Sequence, residues 1–201
     1  PVAKRRSSTP LGLARGYKAV LKDRVYIGLM IFGAFQLSAL FAYLNTVPFL
    51  FQDGYGLSAS DFGYWVAANS FASYIGVQVG AYAARVIKGQ WLLAIYSSLG
   101  ILIGLGLFAT SGSGLLVAEA FFMLQLFIFG AGITTIPTIA LYNHGSEAGT
   151  AASLLGVVNF STTSVVSVVY GYLNTDTSQD IGILIAALFT VSLASLIFIT
   201  R

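Results

Sequence analysis

Six long apolar stretches separated by five short polar breaks constrain this chain more than any other feature. They run approximately Val25–Phe51, Asp61–Ile87, Trp91–Thr110, Leu115–Tyr142, Gly149–Leu173 and Ile181–Thr200. A helix rising about 1.5 Å per residue needs roughly 20 apolar residues to cross the hydrocarbon core of a bilayer, and each stretch meets that length. Only 8% of the 201 residues are charged and 57% are hydrophobic, whereas a soluble domain carries about a quarter charged residues. Lipid offers the backbone no hydrogen-bond partner, and stretches of this length are too long for barrel strands, so the spans are expected to be helices. The expected fold is therefore an all-α membrane protein of six transmembrane helices. The breaks Gln52–Ser60, Lys88–Gln90, Ser111–Gly114, Asn143–Glu147 and Asn174–Asp180 are short, which makes successive helices antiparallel neighbours. Ser58 with Asp61 forms the expected N-terminal cap of the second span.

The cations fix an expected orientation. Lys4, Arg5, Arg6, Arg15, Lys18, Lys22 and Arg24 precede the first span, Arg85 and Lys88 flank the second break, and Arg201 ends the chain. With six crossings, all ten Lys and Arg fall on one side, which the positive-inside rule makes the cytoplasm, together with both termini. Asp53, Asp176 and Asp180 fall on the other side. Residues 1–24 are expected to be a basic cytoplasmic linker beside anionic lipid, not a nucleic-acid arm. The chain begins with Pro1 and has the look of a piece of something longer.

Chemistry is sparse. With no cysteine and a single histidine, neither a disulfide framework nor a metal centre is expected, and no nucleotide-binding motif or cofactor signature is present. Ser111-Gly112-Ser113-Gly114 faintly resembles an intramembrane serine-protease motif, but His144 is placed on the opposite face, about 30 Å of hydrocarbon away. Asn159-Phe160-Ser161 fits a glycosylation pattern yet lies inside a span. No catalytic residue is expected.

The spans divide into two sets of three. Pro48 near the end of the first and Pro137 near the end of the fourth are expected to bend their helices. Gly76 and Gly80 in the second span, and Ala148, Ala152 and Gly156 in the fifth, recur at four-residue spacing and are expected to admit a close neighbour. The third and sixth spans carry no charge or amide and are expected to face lipid. Two triplets of three crossings make an inverted repeat, a building plan of secondary transporters. Intramembrane polar groups are expensive against lipid. Gln36, Tyr43, Asn69, Ser73, Gln125, Asn159 and Thr163 are therefore the candidate substrate-binding residues, with helix-to-helix adhesion as the alternative for each. Phe35, Phe71, Phe121, Phe127 and Phe129 lie near them, and a mixed aromatic and amide lining suits an amphipathic, drug-like small molecule. The carboxylates lie at span ends or in loops, and Glu119, about a turn inside the fourth span, is expected at the water boundary.

"FAYLNTVPFLFQDGYGLSASDFGYWVAANSF" (Phe41–Phe71) resembles the seventh and eighth helices of the bicyclomycin-resistance type of drug:proton antiporters in the major facilitator superfamily. "AGTAASLLGVVNF" (Ala148–Phe160) is similar to the opening of that group's eleventh helix, and "STPLGLARGYKAVLKDR" (Ser8–Arg24) looks like the connection between its two halves. Two features depart from the pattern. Thr138 follows Pro137 where the family often has asparagine, and Gly80–Gln90 keeps only a remnant of the superfamily's basic loop, without an acid. The resemblance implies twelve helices, of which this chain supplies the C-terminal six, a missing N-terminal six-helix half as partner, and a bacterial inner-membrane location. It also implies proton-coupled multidrug efflux by alternating access. A metabolite facilitator (sugar or nucleoside) and a non-transporting six-helix scaffold are the alternatives.

The segregation of the cations generates a test of topology. A reporter fused after Arg201 or inserted near His144 is expected to read cytoplasmic, and one near Asp176 external; a single inverted report sinks the six-span arrangement.

Overall fold

A computed structural model describes residues 16–142, 144–172 and 177–197, and it is helical with no strand among them. Lys4, Arg5, Arg6, Arg15, Asn143, Leu173, Asn174, Asp176 and Arg201, with the last three residues of the expected sixth span, lie outside the described residues. The principal helices are α1 (Arg24–Phe49), α2 (Ala59–Val86), α3 (Gly89–Ala109), α4 (Leu115–Ile133), α5 (Thr135–Tyr142), α6 (Ala148–Tyr172) and α7 (Ser178–Ser195). Five segments are long and apolar enough to cross a bilayer: Arg24–Gly54, Gly89–Ala109, Leu115–Leu141, Ala148–Tyr172 and Ser178–Ser195. The expected second span is the exception. Helix α2 has 28 residues, about 42 Å at 1.5 Å per residue, but Asp61, Asn69, Gln78 and Arg85 dilute its apolar content.

Caps set several helix starts. Asp23 accepts from the backbone N–H of Val25 at 2.9 Å and of Tyr26 at 3.4 Å, supplying orphan donors at the start of α1 with an acceptor. Ser58 accepts from Asp61 N at 3.1 Å, as its spacing predicts, and Thr177 does the same for Asp180 N at 3.2 Å. The prolines act differently from each other. Pro137 has no N–H to offer Ile133 and its ring presses on that carbonyl, so α4 ends at Ile133 and the chain turns at Thr134 before α5 resumes. The expected continuous span Leu115–Tyr142 is thus two helices. Pro48 stays inside α1, and the helix widens just beyond it into a π-helical turn, Leu50–Gly54, closed by Tyr55 N on Leu50 O at 3.0 Å. In the α3–α4 turn Gly112 and Gly114 adopt φ of 88° and 98°, a conformation that glycine reaches without a Cβ clash. The Ser-Gly-Ser-Gly run is a turn.

The helices alternate in direction. His144 Nε2 lies 3.0 Å from Asp23 Oδ2, and Lys88 shares a pocket with Val25, so those four residues are at one end of the bundle. At the other end, the Tyr55 hydroxyl is 3.2 Å from the Ser178 hydroxyl, joining the α1–α2 turn to the start of α7.

The packing has an internal symmetry. Helix α1 packs on α6 and α7, α4 packs on α2 and α3, and α3 packs on α7. Exchanging the triplet α1, α2, α3 for α4, α6, α7 leaves this pattern of pairs unchanged, as a pseudo-two-fold axis between α1 and α4 requires. Gln36 and Gln125 obey the same exchange, since Gln36 stands twelve residues before Pro48 and Gln125 twelve before Pro137.

Two seams depend on glycine. A Cβ at Gly76 or Gly80 would run into the carbonyls of Phe127 or Ala131 on α4, and one at Gly130 into the Ser73 carbonyl on α2. At the α3–α7 seam a Cβ on Gly182 would lie 2.7 Å from the Gly104 carbonyl. Both seams therefore bring backbones into contact, as small residues permit in lipid. Two expectations are corrected here. Ala152 is exposed and an added Cβ on Gly156 meets nothing; the close contact on α6 is at Ala151, fully buried, whose carbonyl accepts from the Tyr26 hydroxyl at 2.7 Å. Helices α3 and α7 do not simply face lipid, for they bury Leu92, Leu93, Leu107, Ile181, Ile185 and Phe189. The sparsely covered helices are α2, whose buried residues are Asn69, Gly76 and Gly80, and α6.

Gly76→Ala is expected to destabilise the folded protein by about 1–3 kcal/mol through overpacking, while Gly156→Ala is neutral or slightly stabilising because it adds helix propensity without a clash. Thermal unfolding in detergent checks the pair, and equal effects would contradict the backbone contact between α2 and α4.

Candidate functional site

A polar cluster is buried where α1, α2 and α4 meet. Tyr43, Asn69, Glu119 and Gln125 are each no more than 3% exposed. Asn69 lies ten residues after Ser58–Ala59 opens α2 and beside the glycine seam, which holds it against the first turns of α4. There its Nδ2 donates to Glu119 Oε1 at 2.8 Å. The Tyr43 ring meets Phe122 edge-on at 5.4 Å, and its hydroxyl faces Asn69 and Glu119. Phe122 in turn packs against Phe51 of the π-helical turn, ring centroids 6.0 Å apart. The widened turn after Pro48 thus supplies one aromatic wall of the cluster. Glu119 is 1% exposed, and this overturns the expected water-boundary position. Residues on α1 and α2 cover it, and sequence distance from the helix end does not register them.

Deeper in the bundle, two glutamines cross between the repeat-related helices. Gln125 Nε2 of α4 donates to the Ala39 carbonyl of α1 at 2.9 Å. Gln36 of α1 lies against Gly132 of α4, where a Cβ would stand 2.8 Å from its Oε1. The absence of a side chain at Gly132 is what admits the amide.

The α1–α6 seam carries hydroxyls in place of glycines. The Ser38 hydroxyl is 3.3 Å from that of Thr163, the Thr46 hydroxyl 2.6 Å from that of Tyr170, and Asn45 Nδ2 donates to Ser167 Oγ at 3.3 Å. Asn159 sits beside Gly33 of α1 with its Oδ1 buried and without a hydrogen-bond partner.

The seven candidate residues therefore fall into two groups on either side of α1. Tyr43, Asn69, Ser73 and Gln125 lie along the α2–α4 side with Gln36 at the crossing, and Asn159 and Thr163 lie along α6. Two pockets at the Lys88 end, of about 270 and 290 Å³, are lined by residues such as Lys88, Gly89, Thr134, Thr138 and Ile139, and by none of the seven. Sequence reasoning did not single out Ser38 and Thr46. Each lies on the face of α1 that meets α6, and a hydroxyl in a long apolar run was the available signal. Phe71, by contrast, is 63% exposed and stacks on Tyr74 at 6.4 Å, which places an aromatic pair on the uncovered side of α2.

No family model matches the chain. It is 26% identical over 187 residues to the uncharacterised MFS-type transporter YdgK of Bacillus subtilis, a match covering 90% of this chain and 46% of that protein. It is 25% identical over 215 residues to the bicyclomycin resistance protein homolog of Haemophilus influenzae, covering 98% of this chain and 51% of that protein. The chain is a partial match to MFS-type transporters. It spans about half the length of the curated relatives it matches. Together with five helices apolar enough to cross a bilayer, this makes it an integral membrane protein.

The different settings of the two amides generate a stability test. Gln125→Leu removes a buried hydrogen bond between α4 and α1 and is expected to cost on the order of 0.6 kcal/mol, up to about 1.7. Asn159→Leu removes an amide whose oxygen bonds to nothing and is expected to leave the unfolding midpoint in detergent unchanged. The reverse order would contradict the placement of both side chains.

Proposed function

We propose that this chain is the C-terminal six-helix half of a secondary transporter that exports amphipathic, drug-like molecules in exchange for protons, working by alternating access in a bacterial inner membrane. The observation that carries this reading is the symmetric pairing of the helices about α1 and α4. Exchange of the two triplets preserves every principal contact, and it leaves α2 and α6 as the repeat-related pair with uncovered flanks. A bundle of that form has one incomplete side, which a second six-helix half would cover. The half-length match to MFS-type transporters supports the same reading, and the name of the Haemophilus influenzae relative supports a drug as substrate. Amides and hydroxyls on α1, α2, α4 and α6, with aromatic rings such as Phe71 and Tyr74 beside them, suit a ligand of mixed character.

In this proposal α1 and α4 are the axis of a rocking half. Pro48 and the break before Pro137 allow their ends to bend as the halves tilt. Asn159, with an unpartnered buried oxygen, is the side chain on α6 best placed to exchange hydrogen bonds with substrate and water.

Efflux measurement tests the reading. The complete protein is expected to lower accumulation of several unrelated amphipathic drugs in cells, an effect that collapses when an uncoupler dissipates the proton gradient. Residues 1–201 alone are expected not to move drugs uphill. Asn159→Leu is expected to change the order of preference among drugs by several-fold at normal folded yield. Uptake of a sugar or nucleoside without drug efflux would favour a metabolite facilitator, and no transport of either kind a scaffold.

A further inference from the structure

Glu119 is the one carboxylate among the described residues that the fold withdraws from water, at 1% exposed. Asp53 and Asp61 are exposed, and Asp23 is taken up by the α1 cap and His144. Its surroundings lack a counter-charge. Among the described residues no Lys, Arg or His pairs with it. From α2 it faces the neutral Asn69 amide, and from α1 the Tyr43 phenol. The π-helical turn contributes Phe51, while its Asp53 points to the exterior. Helix α3 has no charged residue, and its single titratable group is Tyr96, toward the end of the bundle that holds Lys88.

The hydrogen-bond inventory of this cluster is unbalanced. Glu119 Oε1 accepts from Asn69, but Glu119 Oε2, Asn69 Oδ1 and the Tyr43 hydroxyl are all buried without a partner of normal geometry. An ionised carboxylate and an amide oxygen are both acceptors only. The Tyr43 O–H is the one free donor for these two acceptors, and a proton on Glu119 Oε2 supplies the second. The same proton removes a charge that has no partner, in a setting where an unpaired buried charge is strongly unfavourable.

We propose that Glu119 is a proton-binding site, with Asn69 and Tyr43 as the residues that hold its neutral form, and that it takes up and releases one proton in each transport cycle. Release breaks the Oε2–H bond, leaves the electron pair on the carboxylate and passes the proton to water that reaches the cluster in the transport cycle; uptake is the reverse. No oxidant or further reactant is involved. The transport role of this site rests on the antiport reading above, whereas proton binding itself does not.

The experiment has two arms on the complete protein. In the first, infrared difference spectra across a pH titration are expected to show a protonated-carboxyl C=O band that converts to carboxylate, is lost in Glu119→Gln, and shifts its midpoint in Glu119→Asp and Asn69→Ala. In the second, adding an exported drug to the purified protein in weak buffer is expected to release about one proton per molecule, detected by a pH-sensitive dye. Glu119→Gln loses that release, while Glu119→Asp retains it with a shifted pH profile. Persistence of the band in well-folded Glu119→Gln overturns the proposal, and so does undiminished proton release. If Glu119→Gln fails to fold, an unchanged midpoint in both Glu119→Asp and Asn69→Ala overturns it. A titrating Glu119 band in a protein that moves no drug upholds the proton site and overturns the antiport reading. Drug efflux driven by a proton gradient and unaffected by Glu119→Gln upholds the antiport reading and overturns the transport role of Glu119.

Discussion

The rest of the structure depends on how the buried amides of α1 and α4 are accommodated where those helices cross, with Gln36 Nε2 and Gln125 Oε1 left without a partner. A primary amide cannot be left facing lipid without cost, so Gln125 must find an acceptor and Gln36 a space. The Ala39 carbonyl accepts from Gln125 Nε2 and the gap at Gly132 admits Gln36, and these two contacts join α1 to α4. Once that central pair is set, α6 and α7 have one helix to pack on and α2 and α3 the other. The equivalent position of the two glutamines relative to Pro48 and Pro137 carries the symmetry of the bundle down to single side chains.

The seams around this centre use different chemistry for the same purpose. In lipid there is little hydrophobic drive to associate helices, so packing and hydrogen bonds decide which faces meet. Glycines at Gly76, Gly80 and Gly130 bring α2 and α4 into backbone contact, and Gly104 with Gly182 does so for α3 and α7. Along α1 and α6 the hydroxyls of Ser38, Thr46, Thr163 and Tyr170 pair instead. A seam of hydroxyl pairs can exchange partners with water or a ligand more readily than a seam of interlocked backbones. This difference makes α6 the adaptable side of the bundle and α2 with α4 the rigid side, on which the Asn69 and Glu119 pair is held at 2.8 Å.

Much of this was legible before any coordinates. Span lengths and the placement of polar breaks announced helices and nearly all their ends, because backbone hydrogen bonding in lipid leaves a chain of this composition no other choice. The Ser58 cap and the spacing of Gly76 and Gly80 were equally local signals. The burial of Glu119 was not legible. Its distance from the end of α4 is a property of one helix, but its burial comes from Tyr43 and Asn69 on two others. Ala152 and Gly156 misled for the same reason, since a four-residue spacing of small side chains says that a neighbour fits, not that one is there.

By itself, the sequence determined an all-helical membrane chain, its turns, its capped helix starts, and a set of polar residues that hydrocarbon would not tolerate unpartnered. Those outcomes follow from short-range geometry and from the solvent. The tertiary structure alone decided which helices touch, that α3 and α7 are packed together while α2 and α6 stay uncovered, and that the Glu119 carboxylate is sealed between three helices with one oxygen unbonded. Pairing depends on side chains far apart in the chain fitting one another within tenths of an ångström, and no periodicity along one strand of sequence records that fit.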